Sequence, residues 1–190
     1  SIQNMDQQHE EFKDKNPTAA NGFSIIAVAA GSGICELFRQ YGVDVVVEAG
    51  QISNPSIKQL LDAIDEVASE EVVLLPNNSN IILSANEAAK SSIKNVSVIP
   101  SKSIPQGISA LLALDKEKSL ELNLPAALDV IEDICVGEIA RSVRYFKLDS
   151  GETIAKGEYL GVLNGEVVVG GKDLIEVVLN LIKKGLTDSF

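Results

Sequence analysis

From Phe23 onward, short apolar runs rich in Val and Ile alternate with stretches whose apolar positions recur every three or four residues. The runs predict strands at Phe23 to Ala30, Val43 to Glu48, Glu71 to Leu75 and Val96 to Ile99. Between and after them the helical spacing predicts helices at Gly33 to Gln40, Ser56 to Val67, about Asn80 to Ser91, and about Gly107 to Leu114. Strand and helix alternating in this way is the signature of right-handed βαβ units, and so of a parallel, Rossmann-like sheet of about four strands flanked by helices.

After Lys116 the rhythm changes. Leu124, Leu128, Ile131 and Ile134 form a helical stripe within Leu120 to Ile134, with Pro125 as an early-turn residue or a break. Strand-like stretches follow at Glu138 to Leu148, Glu158 to Leu163 and Glu166 to Val169. The last two are joined by Asn164-Gly165, a pair that tolerates the positive φ of a type I′ hairpin turn. This part predicts a small antiparallel meander, closed by an amphipathic helix from Asp173 to Lys184 with Gly185 as its C-cap. The expected organisation is a linker or exposed segment over 1–22, a parallel α/β core over 23–116, and an extension over 117–190 packed with that core as one domain.

Composition narrows the class. Aromatic residues make up 4% and Trp is absent, so the core must be built from Ile, Leu, Val and Ala. A net charge of -11 without a clustered basic stripe argues against nucleic acid as a partner. Cys35 and Cys135 lack metal-ligand spacing and read as two buried, reduced thiols. With no stretch long enough to span a membrane and no signal peptide, a cytoplasmic location is expected. The chain opens on Ser1 without Met, which predicts a fragment or a processed chain.

Candidate chemistry collects in the loops that follow the strands. These are Ala30-Gly31-Ser32-Gly33, the segment from Ala49 to Ser56, Pro76-Asn77-Asn78-Ser79-Asn80, and the segment from Pro100 to Gly107. In a parallel sheet all of them lie on the carboxyl edge, where open α/β sheets bind ligands. They contain amides, hydroxyls and one cation but no His, Cys, Asp or Glu. Recognition is therefore expected before catalysis.

Gly31-Ser32-Gly33 lacks the rest of a phosphate-binding fingerprint and reads as a tight turn. Asn54 is expected to cap the second helix, Pro55 to pre-set its first turn and Ser56 to add an acceptor, leaving Gln51 and Ser53 unassigned. Asn77, Asn78 and Asn80 exceed what one helix cap needs, so the surplus must brace neighbouring loops or meet a ligand. Ser101, Lys102 and Gln106 complete the candidate set, with Lys102 and the helix N-termini near Ser56 and Asn80 the hosts for any anion. Arg141 and Arg144, three residues apart on a predicted strand, fall on opposite faces. The single histidine, His9, lies in the polar N-terminal segment, and no nucleophile-base set or acidic metal motif is present.

Three ordered motifs carry a resemblance: Gly50-Gln51-Ile52-Ser53-Asn54-Pro55-Ser56, Leu75-Pro76-Asn77-Asn78-Ser79-Asn80-Ile81-Ile82, and Ser101-Lys102-Ser103-Ile104-Pro105-Gln106-Gly107. Together with the later segments Val136 to Arg144 and Gly157 to Gly161, they resemble the C-terminal region of the bacterial fatty acid kinase A protein, in the dihydroxyacetone kinase-like family. The resemblance covers about 23–186.

It implies a noncatalytic interaction domain that docks the fatty-acid-binding B protein. A separate N-terminal domain would hold ATP and magnesium and phosphorylate the acyl carboxylate, feeding phospholipid synthesis, and a middle domain would serve dimerisation. By itself the fragment would not be an enzyme and would carry no cofactor. The alternative is a domain that binds a phosphate or an acyl head group in the amide-lined cleft. Three departures stand out: the family commonly has Thr-Met at Ile52-Ser53, has Thr at Ala140, and continues beyond Phe190 with an acidic segment.

Overall fold

A computed structural model of the chain describes residues 22–50, 54–148 and 150–188. The predicted N-terminal segment with His9, and the candidates Gln51 and Ser53, lie outside the described residues. The first half is a regular alternation: β1 (Ser24–Ala29), α1 (Ser32–Gln40), β2 (Val45–Glu48), α2 (Ile57–Glu66), β3 (Glu71–Leu75), α3 (Ser79–Ser91), β4 (Asn95–Val98) and α4 (Ile104–Ala113). The strands form one parallel sheet, as the alternation predicts, and the structure sets their order as β2-β1-β3-β4. Because β1 lies between β2 and β3, the connections leave it in opposite directions and the topological switch point falls between the carboxyl ends of β1 and β3.

The sheet is buried on both faces, which is why its strands read as continuous apolar runs rather than alternating ones. One face, with Ile25, Ala27, Val73 and Leu75, packs against Phe38 of α1 and Ala110 of α4. Leu120, Ala127 and Ile131 of α5 (Leu120–Asp133) join the same cluster, so α5 covers the parallel sheet. The other face, with Ile26, Val28, Val72 and Leu74, packs against Leu60 and Ile64 of α2 and Ile81 and Ala85 of α3.

Several local expectations are corrected. Ser56, not Asn54, caps α2: its side chain accepts from the Gln59 N–H while the Gln59 side chain accepts from the Ser56 N–H, a complete capping box. Pro55 therefore precedes the helix, buried, and Asn54 is exposed. Helix α4 begins at Ile104 rather than Gly107, because Ser103 caps it and Pro105 is tolerated in a first turn whose N–H groups need no intrahelical partner. Pro125 sits inside a continuous α5 and does not break it.

The expected single meander is two small sheets. β5 (Gly137–Arg141), β8 (Tyr159–Leu163) and β9 (Glu166–Gly171) form one, while β6 (Phe146–Lys147) pairs with β7 (Thr153–Ile154) in another. The predicted strand over 138–148 is broken at Ser142, whose hydroxyl donates to the Arg144 carbonyl and turns the chain. Arg144 thus leaves the strand; Arg141 stays on it, its guanidinium 4.3 Å from the centroid of the Tyr159 ring. The Asn164-Gly165 turn has φ of 49° and 93°, as a type I′ turn requires.

Helix α6 (Leu174–Asp188) lies on this second sheet through Val177 and Leu181. It runs through Gly185 instead of ending there. The space that a side chain on Gly185 would take is bordered by Leu163 and Cys135, so this glycine faces the sheet side of the helix rather than a turn.

Candidate functional site

Among the described residues, the loops that follow β3 and β4 meet at the carboxyl edge of the sheet through Asn77 and Ser101, while Ser56, Asn78 and Ser103 cap the helices they open. The β1–β3 ladder ends with Ala27 opposite Leu75. Pro76 has no N–H, and at Asn77 the backbone turns into the left-handed region with φ of 56°, which Asn tolerates. The Asn77 N–H donates to Ser101 Oγ at 3.0 Å, and its side-chain amide donates to the Val28 carbonyl at 2.9 Å. Ser101 Oγ in turn donates to Asn77 Oδ1 at 2.8 Å. Both residues are buried, and the amide plugs the switch-point crevice, where an open α/β domain would seat its ligand.

A glycine makes room for this plug. A Cβ on Gly107 would stand 1.9 Å from Asn77 Oδ1, so α4 can approach only because residue 107 lacks a side chain.

The other candidates divide by role. Asn78 caps α3, its Oδ1 accepting from the Asn80 N–H. Gln106 ties two elements together: Oε1 accepts from the Lys102 N–H at 2.7 Å and Nε2 donates to the Ile131 carbonyl of α5 at 2.9 Å. Asn80 and Lys102 are exposed. Asn54 and Ser56 follow the edge strand β2 and do not join the groove described next.

Beside the plug lies a groove of about 640 Å³. Lys102, Ser103 and Gln106 line it together with Ile131 and Glu132 of α5, Glu138, and the Asn164-Gly165 turn. That turn is itself fixed: Asn164 Oδ1 accepts from the Val136 N–H, and the Asn164 N–H donates to the Val136 carbonyl. Glu132, Glu138 and Asn164 were not candidates on sequence. They come from elements remote in the chain, and Asn164 carried only a turn signal.

Among the described residues no group of three or more His, Cys, Asp or Glu is arranged to hold a metal ion, and no helix is long and apolar enough to cross a membrane. The cysteines are free thiols. Burial, with the nearby Glu48 carboxylate adding to it, raises the Cys35 thiol above its usual range, Arg39 opposing weakly. With Cys35 buried and Cys135 half-buried, a thiol-alkylating reagent at neutral pH is expected to label Cys135 well before Cys35. Peptide mapping by mass spectrometry reads the order, and first labelling at Cys35 would contradict the burial.

The architecture defines a doubly wound α/β domain with an antiparallel extension, its sheet edge closed at Asn77 and Ser101 by internal hydrogen bonds and flanked by a groove of mixed polar and apolar lining. The chain belongs to the family of fatty acid kinase A-like C-terminal domains, whose model matches residues 24–189. Protein YloV of Bacillus subtilis is 41% identical over 175 residues, 88% of this chain and 32% of that protein. A protein of Staphylococcus aureus strain MRSA252 is 32% identical over 193 residues, 98% of this chain and 35% of its own length. The chain thus spans about a third of the length of the curated relatives it matches. The crystal structure of a DegV family protein from Corynebacterium glutamicum shares the fold, with a TM-score of 0.60 at 14% identity over 87% of this chain and 74% of that one.

Proposed function

We propose that this domain is a noncatalytic docking module of a fatty acid kinase, engaging the fatty-acid-binding B protein so that an ATP- and magnesium-binding domain elsewhere in the parent protein can phosphorylate the acyl carboxylate. The observation that carries this reading is the internal use of the loop amides. Asn77, Ser101, Asn78 and Gln106 are committed to holding backbone, so the sheet edge is a stiff frame rather than a set of free ligand-binding groups. What remains outward is a rim of mixed charge, Lys102 with Glu132 and Glu138, around a preformed groove. Such a rim suits steering and orienting a protein partner. Family membership supplies the chemical context.

Calorimetric titration of the 190-residue chain tests it, with acyl-loaded B protein, Mg-ATP, free fatty acid and inorganic phosphate in separate arms. Saturable binding to the B protein is expected, weakened about five- to tenfold by Lys102→Glu, which costs roughly 1 kcal/mol for one rim charge reversed. Absence of binding to the B protein sinks the docking reading. Binding of fatty acid or phosphate alone, lost in Lys102→Glu, would instead favour a small-ligand role for the groove.

A further inference from the structure

The groove lies where two bodies of the chain meet. The parallel sheet and its helices pack into two apolar clusters whose members all precede Glu132. The antiparallel part has a separate cluster, Leu163, Val169, Val177 and Leu181, with Cys135, Tyr159 and Val168 packed against it. Among the described residues no strand pairing, apolar cluster, side-chain hydrogen bond or ion pair joins residues up to Ile134 to residues from Cys135 onward. Parts of one chain that lack a large shared apolar interface move relative to one another by default.

The linker between the bodies is short, and both of its ends are pinned. Ile134 belongs to the first body, since its N–H donates to the Val130 carbonyl at the end of α5. Val136 belongs to the second, because its N–H and its carbonyl both bond to Asn164. The Cys135 side chain also packs with the second body. Any rotation between the bodies therefore falls on the few backbone torsions from Ile134 to Val136. Ile134 and Val136 line the groove themselves, together with Lys102 and Gln106 from the first body and Glu138 and Asn164 from the second.

We infer that the groove is a hinged cleft: the antiparallel body swings about the linker from Ile134 to Val136, and a partner segment entering the groove touches both bodies and holds the cleft closed. An occupant that contacts both bodies binds the closed form better than the open one, and that difference is what shifts the equilibrium. The frame made by Asn77, Ser101 and Gln106 stays with the parallel body, so closure carries Glu138 and the Asn164-Gly165 turn toward it without reshaping it. The occupant is the B protein of the docking reading, on which the closing step rests; the hinge in the free chain stands without it.

Residual dipolar couplings measured by NMR on the 190-residue chain test it, because they average over the μs–ms motions of hinges. Fitted separately, the two bodies are expected to give alignment tensors of different magnitude, with the weaker alignment in the antiparallel body. One tensor that fits both bodies overturns the hinge. Two glycines inserted between Ile134 and Cys135 should lower the alignment of the antiparallel body further, while the amide shifts of Val73 and Leu181 stay in place. Shifts that spread through the clusters of both bodies would reveal one packed unit and overturn the inference. With saturating acyl-loaded B protein the two tensors are expected to converge, and tensors that stay apart in the complex overturn the closing step. Absence of any complex removes the docking reading alone, and the free-chain comparison still decides the hinge.

Discussion

Gly107→Ala is expected to destabilise the domain by about 3 kcal/mol, a large effect for one added methyl group. The Cβ would fall 1.9 Å from Asn77 Oδ1 and 2.5 Å from its Cγ, so the buried amide must leave its seat. Leaving it strips the Val28 carbonyl and the Ser101 hydroxyl of their partner in the buried interior, and an unsatisfied buried group costs about 1–3 kcal/mol. The sharper result is the coupling. In an Asn77→Gly background, which keeps the left-handed backbone and empties the space, the same Gly107→Ala change should cost little. A double-mutant cycle read by urea unfolding should therefore give a coupling of about 2 kcal/mol. Additive effects of the two substitutions would show that the amide plug is not what Gly107 accommodates.

Asn123→Ala should cost about 2–4 kcal/mol, for a different reason. Asn123 is buried near the start of α5, and its side chain closes the turn that leads from α4. Oδ1 accepts from the Asp115 N–H at 2.6 Å, while Nδ2 donates to the carbonyls of Asp115 and Ser119, each at 2.9 Å. Alanine would leave the Asp115 N–H without its partner, reduce the Asp115 and Ser119 carbonyls to their backbone donors, and loosen α5, whose Ile131 carbonyl receives Gln106 and whose Ile131 lines the groove. For a chain of this size each kcal/mol moves the melting temperature by about 2–4 °C, so a drop of roughly 4–16 °C is expected by calorimetry. A shift within 2 °C or so would mean that water replaces the lost bonds. Asn123→Asp should not rescue, because a carboxylate accepts from Asp115 N–H but cannot donate to the carbonyls.

Much of the fold was legible because its signals are local and periodic. The β3 strand from Glu71 to Leu75 matches its prediction, and the hairpin at Asn164-Gly165 forms because the two residues satisfy the turn's φ by themselves. Errors cluster where two neighbouring residues compete for one local role. Asn54 and Ser56 can both cap a helix, and the contest went to Ser56 because Gln59, three residues on, completes a reciprocal pair of hydrogen bonds. Gly185 offered a helix stop, but packing of α6 on the second sheet outweighed a glycine's modest helix cost of about 1 kcal/mol. The break at Ser142 depends on a hydroxyl returning to a nearby carbonyl, an option every serine has and few use.

The sites show the same division. That polar amides gather at the carboxyl edge follows from strand order in the chain and the handedness of βαβ units, and the sequence carries both. Which of those amides face outward does not follow, since Asn77 reaches Val28 and Ser101 across 49 and 24 residues and disappears from the surface. The groove beside it likewise joins Lys102 to Glu132 and Glu138, residues with no relation in sequence. Periodicity is a property of a segment and can be read along it, and it determined the parallel sheet, its helices and the apolar stripes of α6. Satisfaction of a buried polar group is a property of whatever the fold brings within 3 Å or so. Only the tertiary structure could decide that Asn77 and Ser101 close the edge of the sheet and that a groove opens beside them.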